Sequence, residues 1–118
     1  MKIKEVSERM SVSQDTLRYY EKIHLIPSVK RNASGIREYT TEDLQWIAFI
    51  KCMRAAGLSI DALCEYVRLY QEGDATTKQR MQILYDQREV LQKRMEAMHT
   101  TLKKLNEKIR HYEQETCL

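Results

Sequence analysis

Thr16-Leu17-Arg18-Tyr19-Tyr20-Glu21, followed by Lys30-Arg31-Asn32-Ala33-Ser34-Gly35-Ile36-Arg37-Glu38-Tyr39, is the stretch on which the reading of this chain turns. The first segment reads as the end of a short helix carrying a cation and two aromatic rings. The second reads as a basic hairpin turning at Asn32-Ala33-Ser34-Gly35. Together they would present Arg, Lys, Tyr and amide groups on one surface, which is what a phosphate backbone attracts.

Toward the N-terminus, Ile3 to Arg9 reads as a short helix with Val6 and Met10 facing a core. Ser11-Val12-Ser13 follows as a turn, with Ser13 placed to cap a second helix that runs to about Glu21. Two short helices around a tight turn make a helix-turn-helix, although the glycine usual in such a turn is absent. Pro27 disfavours helix at Ile26 and ends the helical pair. Residues 28–39 then read as two short strands forming a wing.

Toward the C-terminus, Thr40-Thr41-Glu42-Asp43 opens a third helix in the manner of a capping box. Its apolar side is expected to hold Leu44, Ile47, Ala48 and Ala55, widened by Trp46, Phe49, Ile50 and Met53. Gly57 fits a helix stop and Ser59 a cap for the next helix, whose core stripe is Ile60, Leu63, Cys64 and Val67. After Gly73-Asp74 the period changes. Met81, Arg88, Met95, Leu102 and Ile109 recur every seven residues, as do Leu84, Leu91, Met98, Leu105 and Tyr112. These are heptad core positions with one charged exception, Arg88. A helix of about 35 residues is about 50 Å long and too narrowly apolar to stand alone. A second copy of the chain is the economical partner.

Bulk properties agree with this division. The chain has 118 residues, 42% hydrophobic and 31% charged, with a formal charge of +3. Residues 1–40 carry +3, residues 41–73 carry −2, and residues 74–118 carry +2, so the basic excess falls on the nominated surface and the tail. The longest apolar run, Trp46-Ile47-Ala48-Phe49-Ile50, is too short to span a bilayer, and Met1 to Val6 lacks the apolar core of a signal peptide. Location in the cytoplasm, with no membrane partner, is expected. Cys52, Cys64 and Cys117 share no short spacing, so free thiols are expected rather than a disulfide framework. His24, His99 and His111 are scattered, and neither a nucleophilic triad nor a glycine-rich phosphate loop is visible. No catalytic residue, metal ligand or cofactor is assigned, and the chain is not read as an enzyme.

The ordered set Thr16-Leu17-Arg18-Tyr19-Tyr20-Glu21, Leu25-Ile26-Pro27, Arg31-Asn32, Gly35-Ile36-Arg37-Glu38-Tyr39 and Ala56-Gly57-Leu58-Ser59 resembles the MerR (mercury-resistance regulator) family of bacterial transcription regulators. The resemblance implies a mainly α fold. A winged helix-turn-helix DNA-binding domain with a helical pair would occupy residues 1–73, and an antiparallel coiled-coil dimerisation helix residues 74–118. It implies a homodimer on double-stranded promoter DNA that distorts an over-long spacer for RNA polymerase when an effector is sensed. Carried over, Arg18 and Tyr19 would meet the backbone and major groove, with Gln14, Thr16 and Leu17 as candidates for base edges and thymine methyls. Tyr20, Arg37 and Tyr39 would make or support phosphate contacts, Tyr20 having a core alternative, and Lys30, Arg31 and Asn32 would come from the wing.

Residues 46–54 further resemble the thiol-based, AdhR/NmlR-like branch of that family, which responds to reactive aldehydes and nitrosative stress. That likeness makes Cys52 the candidate electrophile sensor. Cysteine is also a small, commonly buried hydrophobe, and the helical neighbours of Cys52 are Ala48, Phe49, Ala55 and Ala56, so a packing role stands beside the sensing one. Cys64 reads as packing, and Cys117 as an incidental thiol near the chain end. Two alternatives to the electrophile reading remain: a MerR-type regulator with another effector, a metal or a small molecule, and a coiled-coil interaction protein.

Overall fold

The computed structural model describes residues 1–116; Cys117 lies outside the described residues. The elements are α1 (Ile3–Met10), α2 (Gln14–Lys22), α3 (Thr41–Ala55), α4 (Ile60–Glu72), a 3₁₀ turn (Asp74–Thr76) and α5 (Thr77–Thr116). Contacts group Met1–Leu84 into one compact unit and the chain from Tyr85 into another. Among the described residues no helix is long and apolar enough to cross a membrane.

Helices α2, α3 and α4 start on side-chain caps, while α1 begins at Lys2 without one. Ser13 Oγ accepts from Thr16 N (3.0 Å), and Ser59 Oγ accepts from Ala62 N (3.3 Å). Thr40 and Asp43 complete a reciprocal capping box on α3. Such caps contribute roughly 1 kcal/mol apiece, appreciable for helices too short to persist alone.

The helix ends are less regular than the sequence suggests. Gly57 (φ 79°) stops α3, with Gly57 N donating to Arg54 O and Leu58 N to Met53 O. The same left-handed stop is made without glycine at His24 (φ 63°), where His24 N donates to Glu21 O and Leu25 N to Tyr20 O. Ser11 (φ 54°) makes the turn between α1 and α2, and this is where the expected glycine is missing.

Val6, Leu17, Leu25, Ile26, Ile47, Ile50, Leu63 and Val67 form the centre of the core, each at most 2% exposed. Ala48 and Ala55, expected on the buried side of α3, are exposed. The core takes the arc through Ile47 and Ile50, and Ala48, Cys52 and Ala55 make a ridge on the far side of the helix. The wing also departs from expectation. Instead of two strands it has one antiparallel bridge, Arg31 to Arg37. Asn32 Oδ1 accepts from Ser34 N (2.9 Å) and Ile36 N (3.0 Å), so a side chain closes the turn where a ladder would have continued.

In the second unit none of the side chains of α5 is buried. The heptad residues Met95, Met98, Leu102, Leu105, Ile109 and Tyr112 all stand about half exposed or more. Arg88 lies with its guanidinium 5.1 Å from the centroid of Tyr85.

Ser11 carries a left-handed backbone that glycine adopts without steric cost. Ser11→Gly is expected to raise stability by about 0.5–1 kcal/mol, read as a higher urea midpoint with unchanged slope.

Candidate nucleic-acid interface

Of the residues nominated on α2, Arg18 and Tyr19 are exposed, Tyr19 at 48%. Gln14 and Thr16 are half-buried. Arg18 reaches back along its own helix, Nη1 to Asp15 Oδ1 (3.2 Å) and Nη2 to Gln14 Oε1 (3.4 Å). Exposed pairs of this kind are worth little in water and are easily exchanged for a phosphate. Thr16 Oγ1 accepts from the hydroxyl of Ser13 at 2.7 Å and so belongs to the helix cap.

Leu17 requires a correction. It is fully buried, and its side chain has no surface to offer a thymine methyl. It shares the inward face of α2 with Tyr20, at positions i and i+3. Tyr20 is itself only 9% exposed, which is the core placement, and burial pushes its phenol up. Tyr39 is 4% exposed and its hydroxyl has no hydrogen-bond partner among the described residues. Burial keeps that phenol protonated, and Tyr39 can act on a phosphate only by supporting its neighbours.

On the wing, Lys30 and Arg31 are exposed, and Arg31 Nη1 donates to Gly35 O at 2.9 Å. Asn32 spends its side-chain oxygen inside the turn. Lys2 pairs with Glu38, and this bond, followed by that of the N-terminal amine, holds the Glu38 carboxyl below the usual range. Tyr39 N donates to Met1 O at 2.7 Å, fastening the second arm of the wing to the start of α1.

The residue that joins α2 to the wing was not singled out from sequence. Glu21 Oε1 accepts from Arg37 Nε at 2.7 Å, and Glu21 Oε2 accepts from Val29 N at 3.0 Å. The two side chains are 14% and 22% exposed, so the pair is largely shielded from water. One carboxylate thus fixes both arms of the hairpin against the end of the recognition helix. Its only sequence signal is an acidic residue closing an otherwise cationic, aromatic segment.

Cys52 is exposed, on the outer ridge of α3. The residues beside it point elsewhere and bear on the helix-turn-helix. Lys51 Nζ donates to Met10 O, at the end of α1, at 2.8 Å, and Arg54 lies close enough to Tyr20 of α2 to offset part of the upward push on its phenol. Cys64 is half-buried, with Sγ donating to Ile23 O at 3.2 Å, and burial followed by the charge of Asp61 pushes its thiol up.

Two family domains cover this region. That described as MerR HTH family regulatory protein matches residues 1–69, and that described as MerR, DNA binding matches residues 44–108. The chain belongs to the MerR family. It is a DNA-binding transcriptional regulator of that family, similar to the HTH-type transcriptional regulator AdhR of Bacillus subtilis strain 168 at 55% identity over 91 residues. That match covers 77% of this chain and 65% of AdhR, so the chain spans about two thirds of its relative. The crystal structure of a protein assigned to the MerR family from Listeria monocytogenes superposes with a TM-score of 0.95 at 48% identity, covering 96% of this chain and 86% of that one. HiNmlR, a MerR family regulator lacking the sensor domain and bound to promoter DNA, superposes with a TM-score of 0.87 at 26% identity, covering 99% and 93%.

Removing the Glu21 carboxylate leaves a half-buried guanidinium and a backbone N–H without their acceptor. Glu21→Ala is expected to cost about 2 kcal/mol of unfolding free energy, and Arg37→Ala added to it to cost much less than its single effect. A denaturation double-mutant cycle measures this.

Proposed function

We propose that the chain acts as a homodimeric, electrophile-responsive promoter regulator with Cys52 as the sensor. The observation that carries this reading is the placement of Cys52: its thiol is open to solvent while the adjacent Lys51 ties α3 to the end of α1 through Met10 O. A cysteine retained only for packing would be buried, and exposure is what a small electrophile needs. With an aldehyde, the thiol loses its proton, sulfur attacks the carbonyl carbon, the π pair moves to oxygen, and oxygen takes a proton to give a hemithioacetal. No oxidant is consumed, and the adduct reverses when the aldehyde is removed. The enlarged, more polar side chain on the ridge shifts α3, and the Lys51 bond to Met10 O passes that shift to α1 and the turn before α2.

DNA is met by Arg18 and Tyr19 of α2, with Gln14 and Thr16 beside them, and by Lys30 and Arg31 of the wing. Arg37, Tyr20 and Tyr39 hold that surface in place, as does Asn32 within the wing turn. The exposed heptad stripe of α5 pairs with that of a second chain, setting the spacing of two half-sites. The similarity to AdhR and the DNA-bound state of HiNmlR support promoter DNA as the target; RNA polymerase in the cytoplasm is the machinery the proposal has it serve.

Two measurements test the reading. Transcription from a promoter the protein binds is expected to rise with formaldehyde or methylglyoxal for the wild type. It is expected to stay flat for Cys52→Ser, with operator affinity retained; equal responses would remove the thiol from the mechanism. Arg18→Ala is expected to weaken operator binding and reduce the slope of log K against log salt by about one per half-site. An unchanged slope would place Arg18 off the phosphates.

A further inference from the structure

Residues of α3 and α4 line an open cleft of about 250 Å³, formed by Glu42, Gln45, Trp46, Phe49, Tyr66 and Tyr70, which neither the DNA surface nor Cys52 uses. Trp46 is the hub of its aromatic wall. Its ring centroid lies 4.9 Å from Tyr70, 6.0 Å from Tyr66 and 6.3 Å from Phe49, at interplanar angles of 74°, 60° and 84°. The rings meet edge to face, and the face of an aromatic ring carries the negative part of its quadrupole.

The charge of the lining has one sign. Glu42 supplies a carboxylate, and no Lys, Arg or His is among the six lining residues. Glu42 Oε1 accepts from the Tyr70 hydroxyl at 3.1 Å, and that bond pushes the Tyr70 phenol up. The aromatic wall already attracts a cation from within the chain: the Arg80 guanidinium sits 5.4 Å from the Tyr70 centroid. The cleft lies within residues 41–73, the segment that carries −2.

We propose that this cleft binds small organic cations, ammonium groups bearing apolar substituents, with the charge against the aromatic faces and Glu42. A cleft of about 250 Å³ suits a small alkylammonium such as choline. The site stands apart from Cys52, and its occupant forms no covalent bond.

Trp46 is the only tryptophan of the chain and reports on the site directly. The experiment titrates the full chain, carrying Cys52→Ser so that the thiol reading is not involved, with choline while following Trp46 fluorescence. A saturable spectral change is expected. The neutral isostere 3,3-dimethylbutan-1-ol is expected to bind about tenfold more weakly. Glu42→Gln, which keeps an acceptor for the Tyr70 hydroxyl, is expected to weaken choline several-fold, and Tyr70→Leu to abolish the preference for the cation. The absence of a saturable change would overturn the proposal, as would equal binding of the isostere or indifference to Glu42→Gln. Covering of the cleft by a second chain would also overturn it, and would appear as Trp46 shielded from acrylamide in the dimer and unresponsive to choline.

Discussion

The DNA-facing half of this protein depends on one carboxylate. Glu21 closes α2, and its two oxygens hold the two arms of the wing, one through Arg37 Nε and the other through the backbone N–H of Val29. A hairpin with a single bridge has little stability of its own. What gives it a defined position is therefore the charge-assisted bond to the helix, in surroundings dry enough for that bond to matter. The contrast with Arg18 and Asp15 is instructive. That pair is made of the same chemical groups, but Asp15 is 97% exposed, so the interaction contributes little and leaves Arg18 available. One ion pair builds the surface, while the other is weak enough to yield its cation to a phosphate, as the proposed DNA contact requires.

Behind that surface, α3 is the stiff member. It is capped by a reciprocal box at Thr40 and Asp43, closed by a left-handed glycine at Gly57, and buried along Ile47 and Ile50. A helix so fixed moves as a body, and packed interfaces tend to switch between arrangements in preference to deforming smoothly. Lys51 ends on the last carbonyl of α1, so displacement of α3 is felt first at the turn that positions α2.

Much of this was legible in the sequence because its causes are local. Ser13, Thr40 and Ser59 are caps by residue type and position, Pro27 and Gly57 stop helices by backbone geometry, and the heptads of α5 follow from periodicity alone. What escaped the sequence depends on partners remote along the chain. Leu17 reads as part of a DNA-binding helix until the fold shows which side of α2 faces the core. Ala48 and Ala55 fit an apolar stripe equally well on either side of α3, because alanine does not declare a face. Nothing near Glu21 announces that its partners are Val29 and Arg37. The left-handed stops at Ser11 and His24 are hidden for another reason: the surrounding structure imposes a conformation that residue type disfavours.

Three sides of α3 thus have different duties. Ile47 and Ile50 hold it to the core, the Ala48–Cys52–Ala55 ridge faces solvent, and Trp46 with Phe49 forms one wall of the aromatic cleft. The cleft is also joined to the beginning of α5: Arg80, stacked on Tyr70, donates through Nε to Thr76 Oγ1, which in turn donates to Leu69 O at 2.6 Å. A thiol adduct on the ridge and a cation in the cleft would act on one rigid body from two directions. Neither has to touch DNA or the other. Each need only bind one position of α3 better than another, and their effects on the DNA-bound equilibrium then add as free energies unless they favour opposite positions. Two chemical inputs can in this way converge on one element, because the helix that would read them is the one on which the DNA-binding helices rest.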